Sequence, residues 1–321
     1  MRKNPGEGGD NGELTLEQKK KIINELLHRE QPTISDFEGA PGYSSWMLEE
    51  DEREVERITA SFGNKDEAGL NNAANDGYGR DAEAVITYVF NDMIFPTRGA
   101  SYAFLASEYD DVKNQTDVVL RVNDKGNVKK FYTYAIQIAT TTDPKKTREK
   151  FDRSANDKGS PAMTKYVKYC KRGDMRWKAP ESPHFIVGMM PSRIDDAVEK
   201  FRFQNGELVG RESDPVTNFK VLSEMHEQIR MQVSHLRSSS GDATERLAKL
   251  DSLSGAVKNG LYRILGIYQL PQEKWVETFN EKYPDLVDKM RYDSVYNNII
   301  NEARRRTIRF RGGDALAATK T

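Results

Sequence analysis

The segment 117–140, DVVLRVNDKGNVKKFYTYAIQIAT, leaves little choice of local structure. From Asp117 to Val122 the side chains alternate. Val118, Leu120 and Val122 fall on one side, and Asp117, Val119 and Arg121 on the other. A period of two is the signature of a strand with distinct faces. Asn123, Asp124, Lys125 and Gly126 supply a turn, because Asn, Asp and Gly tolerate the backbone conformations that tight turns require. A second strand follows from about Lys130 to Thr140. In it Tyr134, Ile136 and Ile138 share one face, and Ala135, Gln137 and Ala139 share the other.

Helices flank this hairpin. Thr15 with Gln18 forms a capping box that opens a helix to about His28, with Leu16, Ile22, Ile23, Leu26 and Leu27 as its apolar stripe. Ser45 to Phe62 predicts a second helix. Arg80 to Met93 predicts a third, with Ala82, Val85, Ile86, Val89, Phe90 and Met93 at helical spacing and Glu83 among them. Tyr102 to Ala106 is apolar and too short to distinguish strand from helix turn. Glu108, Asp110 and Asp111 form an acidic loop. After the hairpin, Asp143-Pro144 caps a basic helix from Lys145 to about Asn156. Met163 to Lys171 predicts a short basic, aromatic helix, His184 to Met190 a third strand, and Ile194 to Phe203 another short helix before the Asn205-Gly206 turn. From Val216 the apolar residues recur at three and four through Leu236, stop at SSSGD, and resume through Ile264. This predicts a helical hairpin, followed by helices opened by Pro271 and Asp285. The segments divide into a disordered tail (1–12), an N-terminal helical part (13–78), an α/β core (79–212), a helical extension (213–305) and a basic flexible tail (306–321).

Composition narrows the function classes. A net charge of -1 over 321 residues gives no global attraction to polyanions, so any anion-binding face has to be local. The single cysteine, Cys170, excludes a disulfide framework and a cysteine-based zinc site. No run approaches the roughly 20 apolar residues of a membrane span, and the first residues lack a signal-peptide core, so a cytoplasmic protein is expected.

A helix bearing Glu83, a strand opened by Asp117, a tight hairpin, a strand bearing Gln137 and a basic helix resemble, in that order, the core of the PD-(D/E)xK nuclease superfamily. The resemblance covers roughly residues 79–156, with 184–190 as a further strand. It implies a restriction-endonuclease-like fold: an α/β mixed sheet flanked by helices, here elaborated by a C-terminal helical hairpin. It also implies an endonuclease that binds nucleic acid, DNA first, and hydrolyses phosphodiesters with Mg²⁺. Such an ion wants hard carboxylate oxygens, and it polarises the phosphate and lowers the pKa of the attacking water. Carried over residue by residue, Asp117 is the first acid and Glu83 the helix acid. Gln137 stands at the second acid, and Ala139 where the lysine belongs. Asp111 or Glu108 would supply the missing carboxylate. Lys145, Lys146, Lys113 or Lys130 would supply the amine. Lys145, Lys146 and Arg148, with Lys165 and Lys168 beyond them, would track a phosphate backbone.

Two other readings stay open at this stage. The degenerate second acid and lysine fit an inactive module of the same fold that binds or scaffolds. The C-terminal stripes fit ordinary core or the seam of a homodimer, as in an assembly protein. Gln137, between two isoleucines, also fits a purely structural amide that must find partners. Arg304, Arg305, Arg306, Arg309 and Arg311 read as charge at a helix end.

Overall fold

A computed structural model describes residues 14–66, 73–93, 102–124, 127–154, 162–169, 175–238 and 243–318. The expected N-terminal tail, the turn residues Lys125 and Gly126, and Cys170 lie outside the described residues. In chain order the helices and strands are α1 (Leu16–His28), α2 (Ser45–Asp66), α3 (Ala73–Met93), β1 (Tyr102–Leu105), α4 (Glu108–Asn114), β2 (Val118–Asp124), β3 (Asn127–Ala139), α5 (Pro144–Ser154), β4 (Ala162–Tyr169), β5 (Met175–Ser182) and β6 (His184–Gly188). They continue with α6 (Pro191–Glu199), β7 (Phe201–Gln204), β8 (Glu207–Arg211), α7 (Pro215–Ser238), α8 (Thr244–Leu265), α9 (Trp275–Lys282), α10 (Val287–Arg291) and α11 (Ser294–Ala318). None of the described helices is long and apolar enough to cross a membrane.

The hairpin forms where the alternation predicts it. β2 and β3 pair antiparallel, with Val118 opposite Ile136 and Leu120 opposite Tyr134. They are the centre of a mixed four-stranded sheet, β1-β2-β3-β6, in which β1 is antiparallel to β2 and β6 is parallel to β3. Two parallel neighbours need a crossover, and α5 with the β4–β5 ribbon provides it. Tyr102 to Ala106 thus resolves into an edge strand.

The two faces of the sheet are covered differently. Leu120, Tyr134, Ile136, Phe185 and Val187 pack with Val85, Ile86, Val89 and Phe90 of α3 and with the apolar stripes of α7 and α8 in one large core. On the opposite face Phe104 and Val119 lie under Val167 and Ala179 of the β4–β5 ribbon. Further along that face, Ala139 and Ile186 meet Phe151 of α5 and Val295, Ile299 and Ala303 of α11. A separate small core joins Phe37, Tyr43, Leu48, Val55, Tyr109 and Tyr166.

β6 is an edge strand that is not left open. On its outer side Gln228 accepts from the Ile186 N–H at 2.8 Å and donates to the Ile186 carbonyl at 2.6 Å. Glu224 accepts from Gly188 N at 2.9 Å and Gln232 donates to the His184 carbonyl at 2.8 Å. Residues 224, 228 and 232 are successive i+4 positions on α7. They face 184, 186 and 188, successive i+2 positions on β6, so a helix face stands in for a neighbouring strand.

Four sequence-based assignments change. The expected acidic loop at Glu108, Asp110 and Asp111 is the first turn of α4, and the tail expected from 306 is helix to Ala318. The other two concern strands. Met163 to Lys171 is expected as a helix, but β4 pairs antiparallel with β5. Its register shifts between Thr164 and Val167, so buried side chains fall three apart and imitate helical spacing. Ile194 to Phe203 is expected as one helix, but α6 stops at Glu199 and the chain turns into β7. Asn205 and Gly206 then close a two-residue hairpin onto β8 with φ of 51° and 78°. The basic cluster after Ala303 belongs to α11, which runs to Ala318.

Candidate functional site

Three carboxylates on three elements lie near enough to perturb one another's titration. Glu83 lies on α3 beside the stripe that packs on the sheet, and is partly buried there. Asp111 lies in the first turn of α4, a helix capped by Ser107, whose Oγ accepts from Asp110 N at 3.1 Å. Asp117 immediately precedes β2. Its N–H donates to the Ile136 carbonyl at 2.8 Å and its Oδ2 accepts from Ile138 N at 2.5 Å, so it brackets Gln137 on the next strand.

The link between α4 and β2 makes this convergence possible. Gln115 closes α4 in the left-handed region (φ 53°, ψ 44°), which turns the chain back within two residues so that Asp117 joins the sheet. Asp110, next in sequence to Asp111, points elsewhere. It accepts from the Ser107 hydroxyl (2.8 Å), Asn114 (2.7 Å), Lys165 N (2.7 Å) and Tyr166 N (2.9 Å), pinning α4 to β4. Of the acidic loop, Asp111 therefore arrives at the site, Asp110 is a structural tie, and Glu108 stays exposed beside Asp111.

The electrostatics record the crowding. Burial, then the charges of Asp117 and Asp111, push the Glu83 carboxyl up to about 9, against the pull of Arg80. Burial raises Asp117 well above the usual carboxylate range. The Asp111 charge adds to this, while the Ile138 N–H and the Lys150 ammonium oppose it. Burial raises Asp111, against an interaction with Asp117 that lowers it, and the Glu108 charge adds to the rise.

The amine that the alternating pattern does not supply comes from α5. Lys150 Nζ donates to the Ile138 carbonyl at 3.3 Å, on the same residue whose N–H holds Asp117. Sequence alone placed Lys150 only within the basic helix that follows the hairpin. The signal for its position was present: Thr147 and Phe151, three residues before and one after it, are the buried stripe of α5. Of the lysines expected to reach in, Lys113 pairs with Glu54 at 2.6 Å, Lys145 and Lys146 are exposed, and the Lys130 side chain lies outside the described residues.

Gln137 and His184 both meet Gln115, the residue that closes α4. Gln137 Nε2 donates to Gln115 Oε1 at 3.4 Å, and its own Oε1 is buried without a hydrogen-bond partner. His184, the first residue of β6, lies 3.3 Å through Nε2 from the Gln115 carbonyl. A carbonyl only accepts, so Nε2 carries the proton and Nδ1, also buried and unpartnered, is the lone-pair nitrogen. Burial, with Lys150 nearby, pushes the imidazole down to about 4 and keeps it neutral. No sequence signal marked His184 beyond its place at a strand start.

Lys145, Lys146 and Arg148 are exposed on α5. Lys165 and Lys168 lie on β4, ion-paired with Asp51 and, at 2.6 Å, with Asp36, so their charges are already matched inside the small aromatic core. Among the described residues no three Asp, Glu, His or Cys side chains stand arranged to hold a metal ion. Carboxylates are the donor type a hard cation takes, so Glu83, Asp111 and Asp117 are the residues that would hold one. No family model, no curated protein and no solved structure matches the chain.

Proposed function

We propose that this chain is a divergent restriction-endonuclease-like protein that binds nucleic acid and hydrolyses phosphodiester bonds with Mg²⁺. The observation that carries the reading is the meeting of Glu83, Asp111 and Asp117 with the Lys150 amine anchored across Ile138. Assembling like charges in a half-buried place destabilises a fold, and clusters of this kind concentrate at functional sites. The order α3, the β2–β3 hairpin, α5 and the parallel strand β6 also agrees with what the resemblance implies for the core.

In this reading Asp117, Asp111 and Glu83 hold the cation, and a dication removes the repulsion that raises their pKa values. Once bound, the ion supplies Lewis acidity at a phosphate oxygen and acidifies water. Lys150, held by the Ile138 carbonyl, orients the attacking water and stabilises negative charge as it develops. Gln137 Oε1 accepts a hydrogen bond from that water in place of the second acid. The neutral His184 holds the Gln115 turn and adds no charge to the site.

The test is cleavage of single- and double-stranded DNA and of RNA, with Mg²⁺ or Mn²⁺, by the parent, Asp117→Asn and Lys150→Met. Loss of a positioned proton-transfer or charge-stabilising group lowers rates by about 10²–10⁴-fold. Cleavage by both variants at the parental rate refutes the assignment. One observation favours a second reading: glutamine at the position of the second acid. A non-cleaving module of the same fold would bind nucleic acid with no dependence on divalent ions.

A further inference from the structure

The fold joins two basic segments that lie about 150 residues apart in the chain. Helix α11 packs along α5. Asn298 Nδ2 donates to the Thr142 carbonyl at 3.0 Å, just before α5 begins. Arg148 of α5 lies 3.8 Å from Glu302 of α11. Arg306 reaches Asp152 of α5, bonds Glu302 at 2.8 Å, and sits over the Phe151 ring at 5.5 Å. Residues 298, 302, 305, 306 and 309 form one stripe at helical spacing, so Arg309 continues the row that faces α5. Arg304 points the other way, to Glu227 of α7 at 3.1 Å.

The charge on this seam exceeds what packing requires. The buried Glu302 carboxylate is approached by three guanidiniums, those of Arg148, Arg305 and Arg306. Arg306 also pairs with Asp152, so three guanidiniums face two carboxylates before Lys145, Lys146 and Arg309 are added. Lys145, Lys146, Arg148, Arg305 and Arg309 are all exposed there, in a chain whose net charge is -1. Lys150, one turn beyond Lys146 on α5, reaches the Ile138 carbonyl next to Asp117, so the strip's α5 end borders the carboxylate site.

We infer that α5 and α11 together form one phosphate-backbone-binding strip, with Lys145, Lys146 and Arg148 on one helix and Arg305 and Arg309 on the other, which leads a nucleic acid strand past the carboxylate site. The buried Arg306 ties the two helices together. This deepens the reading above and rests on it for the nature of the ligand. Arginine suits the task, because its planar fork matches phosphate oxygens two at a time. From 298 to 309 the helix advances roughly 16 Å at 1.5 Å per residue, the axial length of about five base steps. The binding is sequence-independent, since nothing in the strip reads base edges.

The experiment measures dissociation constants for a fluorescent DNA oligonucleotide by anisotropy, between 50 and 200 mM NaCl and without divalent ions. The proteins are the full-length parent, Lys145→Gln/Lys146→Gln and Arg305→Gln/Arg309→Gln. Both pairs are exposed, and a thermal melt of each variant confirms folding. Each lost phosphate contact lowers the salt slope by about 1, so each double variant is expected to lose about 2 from the slope and ~10-fold or more in affinity at the lowest salt. A parental slope in the Arg305/Arg309 variant alone overturns the role of α11. Parental slopes in both overturn the strip. A parent that binds no oligonucleotide at any salt overturns the strip and the nucleic-acid reading together. Salt-dependent binding that both variants weaken, with no cleavage by the parent, supports the strip and removes the nuclease reading instead.

Discussion

Replacing Gln228 by leucine removes the helix's substitute for a missing strand. The change keeps side-chain volume while deleting one acceptor and one donor. Gln228 is 1% exposed and Ile186 is fully buried, so no water reaches the Ile186 N–H and C=O once their 2.8 and 2.6 Å bonds are gone. Each buried unpartnered backbone group costs about 1–3 kcal/mol, or about 2–6 kcal/mol for the two. The buried leucine returns about 1.5–2 kcal/mol of transfer free energy. A net loss of about 0–4.5 kcal/mol remains, with its midpoint at ~2 kcal/mol, a large share of the stability of an ordinary domain. Gln232→Leu is the internal control: Gln232 is only partly buried and makes a single bond to the His184 carbonyl, so about 1 kcal/mol is expected. Urea unfolding followed by circular dichroism should show a lower midpoint for Gln228→Leu, a smaller drop for Gln232→Leu, and an unchanged m value for both. A Gln228→Leu variant that loses no more stability than Gln232→Leu, at constant m, would mean that α7 does not terminate the sheet by hydrogen bonding.

Two further outcomes follow from the same geometry. Glu83 titrates at about 9 in the folded chain against 4.5 as its ordinary value, so its contribution to stability is complete below pH 4.5 and is lost as pH rises toward 9. Asp111 and Asp117 are raised in the same sense, and without divalent ions Glu83→Gln should gain stability over the parent steadily from pH 5 to 9 in parallel denaturant titrations; a difference that does not vary with pH would contradict the carboxylate clustering. Gly188→Ala places a Cβ 2.6 Å from Val295 Cγ1 and 2.7 Å from Ile299 Cδ1, where β6 passes under α11. Overpacking of this kind costs about 1–3 kcal/mol, read as a lower melting temperature, and an unchanged melt would show that α11 yields freely at that point.

The strands and helices with a single unbroken period were legible in the sequence. The β2–β3 hairpin, α3, the start of α5 and the α7–α8 pair all lie where alternation or helical spacing puts them. What escaped has a common physical cause, because local periodicity carries no information about partners. The register shift in β4 put buried Thr164 and Val167 three residues apart, which is indistinguishable from a helix until β5 is seen beside it. Glu83 and Asp117 were recognisable as candidates because each stood out against an apolar run. Asp111 differed from its neighbour Asp110 by no local signal. One turns toward β4 and the other toward Asp117 only because α4 is capped at Ser107 and closed by the left-handed Gln115.

The same logic explains the alanine at the position where a strand lysine is expected. Ala139 is fully buried in the layer that holds Phe151 of α5 and Ile299 of α11. A lysine there would strand its charge or push α5 off the sheet. With a small residue at 139, α5 lies close enough that its own stripe, Thr147, Lys150 and Phe151, meets the end of β3. Asp143 fixes that phase: its carboxylate accepts from Lys145 N at 2.8 Å, and its carbonyl accepts from Thr147 N at 3.1 Å in the first turn. Lys150 then lies along the packed face, with its aliphatic stem covered and its amine at the Ile138 carbonyl. The alanine and the helical lysine are therefore one arrangement. The close approach that excludes an amine from the strand is the approach that brings another to the same carboxylates.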